Sequence, residues 1–152
     1  MTYSWSLFSK PGGSFSTLTS TTAVNPSFSP DVAGEYVVEL KVNDGTDDSD
    51  PAQVTITAQT AQQAAQDVIG NIETLLADAL LSAGQGNSLI KKLESAIKKL
   101  DKEQKKVALN MLNAFINHVN SLIDEGVLTS ADGNPLISAI QDIVDSLSAG
   151  LA

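Results

Sequence analysis

Val54-Thr55-Ile56-Thr57 runs without interruption into Ala58-Gln59-Thr60-Ala61-Gln62-Gln63-Ala64-Ala65-Gln66, and the change of composition between these stretches decides how the chain folds. The first is β-branched at all four positions, which suits a pleated surface. The second is Ala and Gln, which suit a helix or a short polar connection. The same division holds outward in both directions. Residues 1 to 58 hold six of the seven aromatic side chains, four of the five prolines and 17 Ser or Thr, whereas residues 61 to 152 hold 27 Ala or Leu and one aromatic, Phe115. Two modules of different secondary structure account for this better than one mixed domain.

Upstream of the division the pattern is that of strands. From Val38 the segment Tyr36 to Val42 alternates, with Val38, Leu40 and Val42 on one face and Val37, Glu39 and Lys41 on the other. Asn43-Asp44-Gly45 signals a turn, and Val54 to Thr57 returns, so an antiparallel hairpin with an acidic connection is expected. Tyr3, Trp5 and Leu7 alternate with Ser4, Ser6 and Phe8 in a further strand that Lys10-Pro11-Gly12-Gly13 ends, and Phe15 to Thr19 is expected as another short strand.

Downstream, the apolar residues recur at helical spacing. Val68, Ile69, Ile72, Leu75, Leu76, Ala79 and Leu80 form one stripe, and Gly84-Gln85-Gly86 is read as its break. Leu89, Ile90, Leu93, Ala96, Ile97 and Leu100 form the second. Asp101 is expected to cap a third helix, with Gln104 three residues on, running through Ala108, Leu112, Phe115, Ile116, Val119 and Ile123. The last stripe, Leu136, Ile137, Ile140, Ile143, Val144 and Leu147, has two candidate starts: Thr129 with Asp132, or Asn134 before Pro135. Four amphipathic helices with short connections make a small bundle.

Each half resembles a known family. Tyr3-x-Trp5, then Phe28-x-Pro30-Asp31-x-x-Gly34-x-Tyr36-x-Val38-x-Leu40-x-Val42-x-Asp44-Gly45, resembles PKD-like domains, immunoglobulin-like sandwiches of bacterial extracellular proteins. The resemblance implies that Trp5 is the core tryptophan, Tyr36 the tyrosine-corner residue, and Val38 the occupant of the second cysteine position of antibody domains. The two strands that usually precede the Tyr-x-Trp segment are missing, so three outcomes are expected: they lie outside this chain, the helical half or another copy covers the open face, or a partner supplies the strands. In the second half, Leu109, Leu112, Phe115-Ile116-Asn117-His118-Val119, Gly126-Val127-Leu128-Thr129 and Leu136-Ile137 resemble the FIMAH helical domain of secreted bacterial proteins. The expected class is therefore α+β as two segregated modules: a partial antiparallel immunoglobulin-like β-sandwich over residues 1–58, a linker over 59–66, and a small four-helix bundle over 67–149. The two resemblances together imply an extracellular or cell-surface location.

Charge and composition restrict the chemistry. The net charge is −9 and all nine basic residues are Lys, a poor composition for binding nucleic acid, where Arg and Lys neutralise phosphates and read bases. Without Cys there is no disulfide and no thiolate chemistry, and a single imidazole, His118, cannot build a multi-histidine metal centre. No stretch reaches the ~18 apolar residues of a membrane span. No cofactor is expected; the one candidate ion is Ca²⁺, at Asp44, Asp47, Asp48 and Asp50, although a solvated hairpin turn has the same composition. Asn110, Asn113, Asn117 and Asn120 share one helical face and are the binding-face candidates. The expectation is a non-catalytic accessory module of a larger exported protein that spaces, anchors or mediates protein contacts. Its partners would be other domains or chains, met by strand complementation or self-association. The alternative is a carbohydrate- or cell-surface-binding module that uses the Asn face or exposed aromatics such as Phe8 and Phe15.

Overall fold

The computed structural model describes residues 1–149. Their fold is α+β: a three-stranded antiparallel sheet followed by four helices, divided into one unit of Met1–Gln59 and a second beginning at Thr60.

The sheet has the order β1 (Thr2–Ser9), β2 (Gly34–Asn43), β3 (Ala52–Ala58). Its register puts Tyr3, Trp5 and Leu7 opposite Val42, Leu40 and Val38, and Tyr36, Val38 and Leu40 opposite Ile56, Val54 and Ala52. Successive side chains point to opposite faces, so all of these lie on one face. The long connection from Lys10 to Ala33 covers part of that face. The Phe28 ring lies 5.3 Å from that of Tyr36, and the Trp5 indole N–H donates to the Ala23 carbonyl at 2.9 Å. The sheet is open, and only Tyr36 and Val38 are buried apolar side chains among the described residues of this unit. Trp5, expected in the core, is half-buried instead, because β1 is an edge and only a loop lies over it. Phe15 to Thr19 forms no strand; the Phe15 N–H donates to the Asp31 carboxylate rather than to a neighbouring strand.

The four helices are α1 (Ala61–Ala77), α2 (Ala83–Asp101), α3 (Lys105–Asp124) and α4 (Ser130–Ala149). Thr60 caps α1 in a reciprocal box with Gln63, so most of the 59–66 stretch read as a linker is the first turn and a half of a helix. Each helix packs against two others, α1 on α2 and α4, α3 on α2 and α4, around one cluster that includes Val68, Ile72, Leu89, Leu93, Leu112, Phe115, Val119 and Ile140. Two expected boundaries differ. Gly84-Gln85-Gly86 is not a break but the first turn of α2, capped by Ser82 with Gln85. Asp101 ends α2 and caps nothing, since α3 begins at Lys105 with no side-chain cap. Of the two candidate starts for the last helix, Thr129 is the one used: its hydroxyl accepts the Asp132 N–H at 3.2 Å and donates to the Asp132 carboxylate.

The two hairpins, α1–α2 and α3–α4, are copies of one design. Ser82 and Thr129, the caps of the second helix in each, are 47 residues apart, and the same offset pairs Val68 with Phe115, Ile72 with Val119, Leu75 with Leu122, Leu81 with Leu128, Leu89 with Leu136 and Leu93 with Ile140. It also pairs two buried glycines. A Cβ on Gly86 would overlap the Leu76 side chain, and one on Gly133 would come within 2.5 Å of Ile123, the residue equivalent to Leu76. In both hairpins a glycine lets the second helix start hard against the first.

The ends of the leading helices match as well. Ala79 N–H donates to Leu76 and Leu80 N–H to Leu75; Gly126 N–H donates to Ile123 and Val127 N–H to Leu122. This is the Schellman closure, which needs a left-handed residue. One copy supplies Gly126 (φ 72°), the other Ala79 (φ 58°), where the methyl group costs about 1 kcal/mol. Ala79→Gly is therefore expected to stabilise the helical unit by about 0.5–1 kcal/mol and Gly126→Ala to destabilise it by a similar amount. Urea unfolding followed by far-UV circular dichroism measures both; the same sign for the two would contradict the equivalence.

Candidate functional site

The acidic turn is built by its own backbone. Asn43 Oδ1 accepts the Gly45 N–H at 2.7 Å, and Asp44 Oδ1 accepts those of Thr46 at 2.8 Å and Asp47 at 3.1 Å. Asn43 Nδ2 donates to Asp48 Oδ1 at 2.7 Å. These are Asx turns, the ordinary reason for Asn and Asp at such positions. The Asp47 and Thr46 amides hold the Asp44 carboxyl below its usual value. The turn does not gather Asp44, Asp47, Asp48 and Asp50 around a common point; among the described residues no three His, Asp or Glu groups stand where they could hold a metal ion.

On α3, Asn110, Asn113, Asn117 and Asn120 are all exposed, as their spacing requires. The Asn113 amide donates back to the Leu109 carbonyl at 3.0 Å, which leaves its side-chain oxygen outward. Phe115 lies across the helix, fully buried in the core. His118 stands at the boundary, half-buried, with Nδ1 enclosed and without a hydrogen-bond partner. Burial lowers its pKa and the Lys92 ammonium lowers it further, against a smaller opposite effect of Glu125, so the ring is neutral at pH 7. A shallow groove beside Met111 and Ala114, between α2 and α3, is lined by Ser88, Lys91, Lys92 and Ser95; Lys92 Nζ donates to Ser88 Oγ. Among the described residues no carboxylate hydrogen-bonds His118 Nδ1, the position from which a carboxylate would orient the imidazole.

The densest polar cluster lies in the first unit, around Asp31. Its carboxylate accepts the Ser14 hydroxyl at 2.5 Å and the Phe15 N–H at 2.7 Å, and Ser16 Oγ lies 2.8 Å away. The Tyr36 hydroxyl is 3.2 Å from the same carboxylate and donates to the Val32 carbonyl, four residues upstream, at 2.8 Å. Ser14 and Ser16 are the buried polar side chains of the described chain. Together, Ser14, Phe15 and Ser16 hold the Asp31 carboxyl far below the usual carboxylate range. This cluster is structural: it ties the start of the long connection to its end and seats Tyr36 beneath both. Ser14 and Ser16 were lost to sequence reading among many serines; the spacing Ser-x-Ser, with Asp five residues before Tyr, is the signal that marks them.

What remains exposed is one flank of the apolar sheet face. Val54 is 53% and Ile56 39% accessible, although Val38 and Tyr36, their partners on β2, are buried. Searches against family models, curated proteins and solved structures find no match for the chain.

Two outcomes follow from the carboxylates. Because the folded pKa of Asp31 is depressed, its contribution is present above the unfolded value of about 3.9 and is lost as pH falls through the lower folded value. Asp31→Asn is therefore expected to lower the stability of the first unit near neutral pH, with the gap from wild type closing as the medium is acidified below about pH 4. Urea titrations read by Trp5 fluorescence measure it, and a gap independent of pH would contradict the assignment. Millimolar Ca²⁺ is expected to leave the melting temperature unchanged; a rise of several degrees would show that the acidic turn does coordinate the ion.

Proposed function

We propose that the chain is a non-catalytic accessory module of a larger exported bacterial protein, in which it spaces, anchors or mediates protein contacts. The observation that carries this reading is the uncovered flank of the sheet: Val54 and Ile56 continue an apolar face that is otherwise buried over Tyr36 and Val38. An exposed apolar edge beside a packed face is a feature of surfaces that meet another chain. The PKD-like resemblance is supported by Tyr36, whose hydroxyl reaches back to the Val32 carbonyl as a tyrosine corner does. With the four helices read as a bundle of FIMAH type, both halves are of the kind found in secreted proteins, which supports an extracellular or cell-surface location.

A second reading, a carbohydrate- or surface-binding module, is favoured by one observation. The four Asn side chains of α3 stand exposed in a row, and Phe8 and Phe15 are 64% and 86% accessible on the first unit. Amides and exposed rings are the usual means of holding sugars.

The purified chain is expected to show no turnover on panels of peptide, ester and glycoside substrates. Saturable turnover abolished by His118→Ala would overturn the non-catalytic reading. Glycan-array binding that Asn113→Ala together with Asn117→Ala abolishes would replace it with the second.

A further inference from the structure

β3 has none of the features that normally keep an edge strand from pairing. It is the terminal strand of the order β1-β2-β3, and among the described residues only its inner edge is paired with another strand. The outer edge of β1 is different: there the Trp5 N–H donates to the Thr21 carbonyl at 2.8 Å, so the long connection shields it. Natural edges are protected by lysines, inward charges, bulges or prolines. Between Ala52 and Ala58 there is no charged residue and no proline, and the register with β2 is unbroken.

The order of residues in β3 adds a second observation. Ala52-Gln53-Val54-Thr55-Ile56-Thr57-Ala58 is close to symmetric about Thr55. An antiparallel two-fold axis through Thr55 would set Val54 opposite the partner's Ile56, Gln53 opposite the partner's Thr57, and Ala52 opposite the partner's Ala58. Side chains alternate with a period of two, so both apolar residues would stay on the face they already occupy, and two half-covered flanks would meet. Charge does not bar a second copy at this strand. Two chains of net charge −9 repel at long range, yet the uncharged strand puts no like charges directly opposite one another, and salt screens the remainder beyond about 8 Å.

From these we infer that β3 is a self-complementary docking edge, occupied by β3 of a second copy of this chain in a continuous six-stranded sheet. The inference rests on the contact-mediating reading above and names its partner and surface. Seven residues span about 23 Å. A pairing of that length buries well under the ~1,200 Å² of a standard interface, so the dimer is weak and forms in the upper micromolar to millimolar range.

Sedimentation equilibrium of the full chain over that range tests it. Wild type is expected to show reversible monomer–dimer exchange. Thr55→Lys sets two ammonium groups against each other on the axis and is expected to weaken association by about tenfold or more, whereas Ser6→Lys on β1 leaves it unchanged. The double variant Gln53→Lys with Thr57→Glu places opposite charges across the axis twice and is expected to tighten the dimer, provided that both variants keep the Trp5 fluorescence of a folded sheet. A wild type that stays monomeric throughout overturns the proposal, as does equal weakening by Thr55→Lys and Ser6→Lys. So does a dimer that the double variant weakens. None of these results bears on turnover, so the failure of self-pairing and the failure of the non-catalytic reading are told apart.

Discussion

An element that is apolar on one side must cover that side, and this constraint organises both halves of the molecule. The helical unit meets it by duplication. One hairpin carries an apolar stripe that it cannot bury alone, and a second hairpin of the same design, 47 residues on, supplies the complement. Phe115 stands where the first copy has Val68, and Leu112 where it has Ala65, so large residues of one hairpin compensate for small ones of the other across a shared core. The sheet has no second sheet among the described residues. It covers part of its face with a loop, whose Phe28 ring packs on Tyr36 and whose two ends Asp31, Ser14, Ser16 and Tyr36 fasten together by hydrogen bonds. A loop fixed in that way reaches β1 and β2 and leaves β3 bare.

The class of each half was legible because period-two and period-3.6 patterns survive in single sequences. Val38, Leu40 and Val42 alternate as read, and the four helical stripes correspond to four helices. What was misread depended on contacts at a distance. Glycines at 84 and 86 suggest a break by propensity, but Gly86 is required by the Leu76 side chain of the preceding helix, which no local rule can see. Asp101 and Gln104 have the spacing of a capping box, yet α2 continues through Asp101 and closes on Glu103 in a left-handed conformation (φ 57°), which nothing in that residue advertises. The duplication itself is faint in residue identities and plain in structure. It is carried by roles such as cap, left-handed closure and close-approach glycine, more than by matching letters.

Of the candidate sites, the four Asn of α3 lie where helical spacing puts them, and the acidic turn has a local explanation in Asx hydrogen bonding. His118 is a boundary residue whose ring burial keeps uncharged. Among the surfaces of the first unit, the one that joins exposed apolar side chains to an unbonded strand edge is β3. Its apolar residues are written into the alternation of the strand, but their exposure depends on where the loop from Lys10 to Ala33 stops, a tertiary property that alternation does not encode.

The central claim is that the helical unit encloses a continuous apolar core, whereas the sheet leaves the β3 flank of its apolar face uncovered. Amide hydrogen exchange on dilute protein tests it most directly, since protection reports the free energy of local opening. The account predicts slow exchange at Leu93, Leu112, Val119 and Ile140, intermediate exchange at Tyr36 and Val38, and markedly faster exchange at the β2-bonded amides of β3. Protection of those β3 amides equal to that of Tyr36 and Val38 in dilute monomer would contradict it.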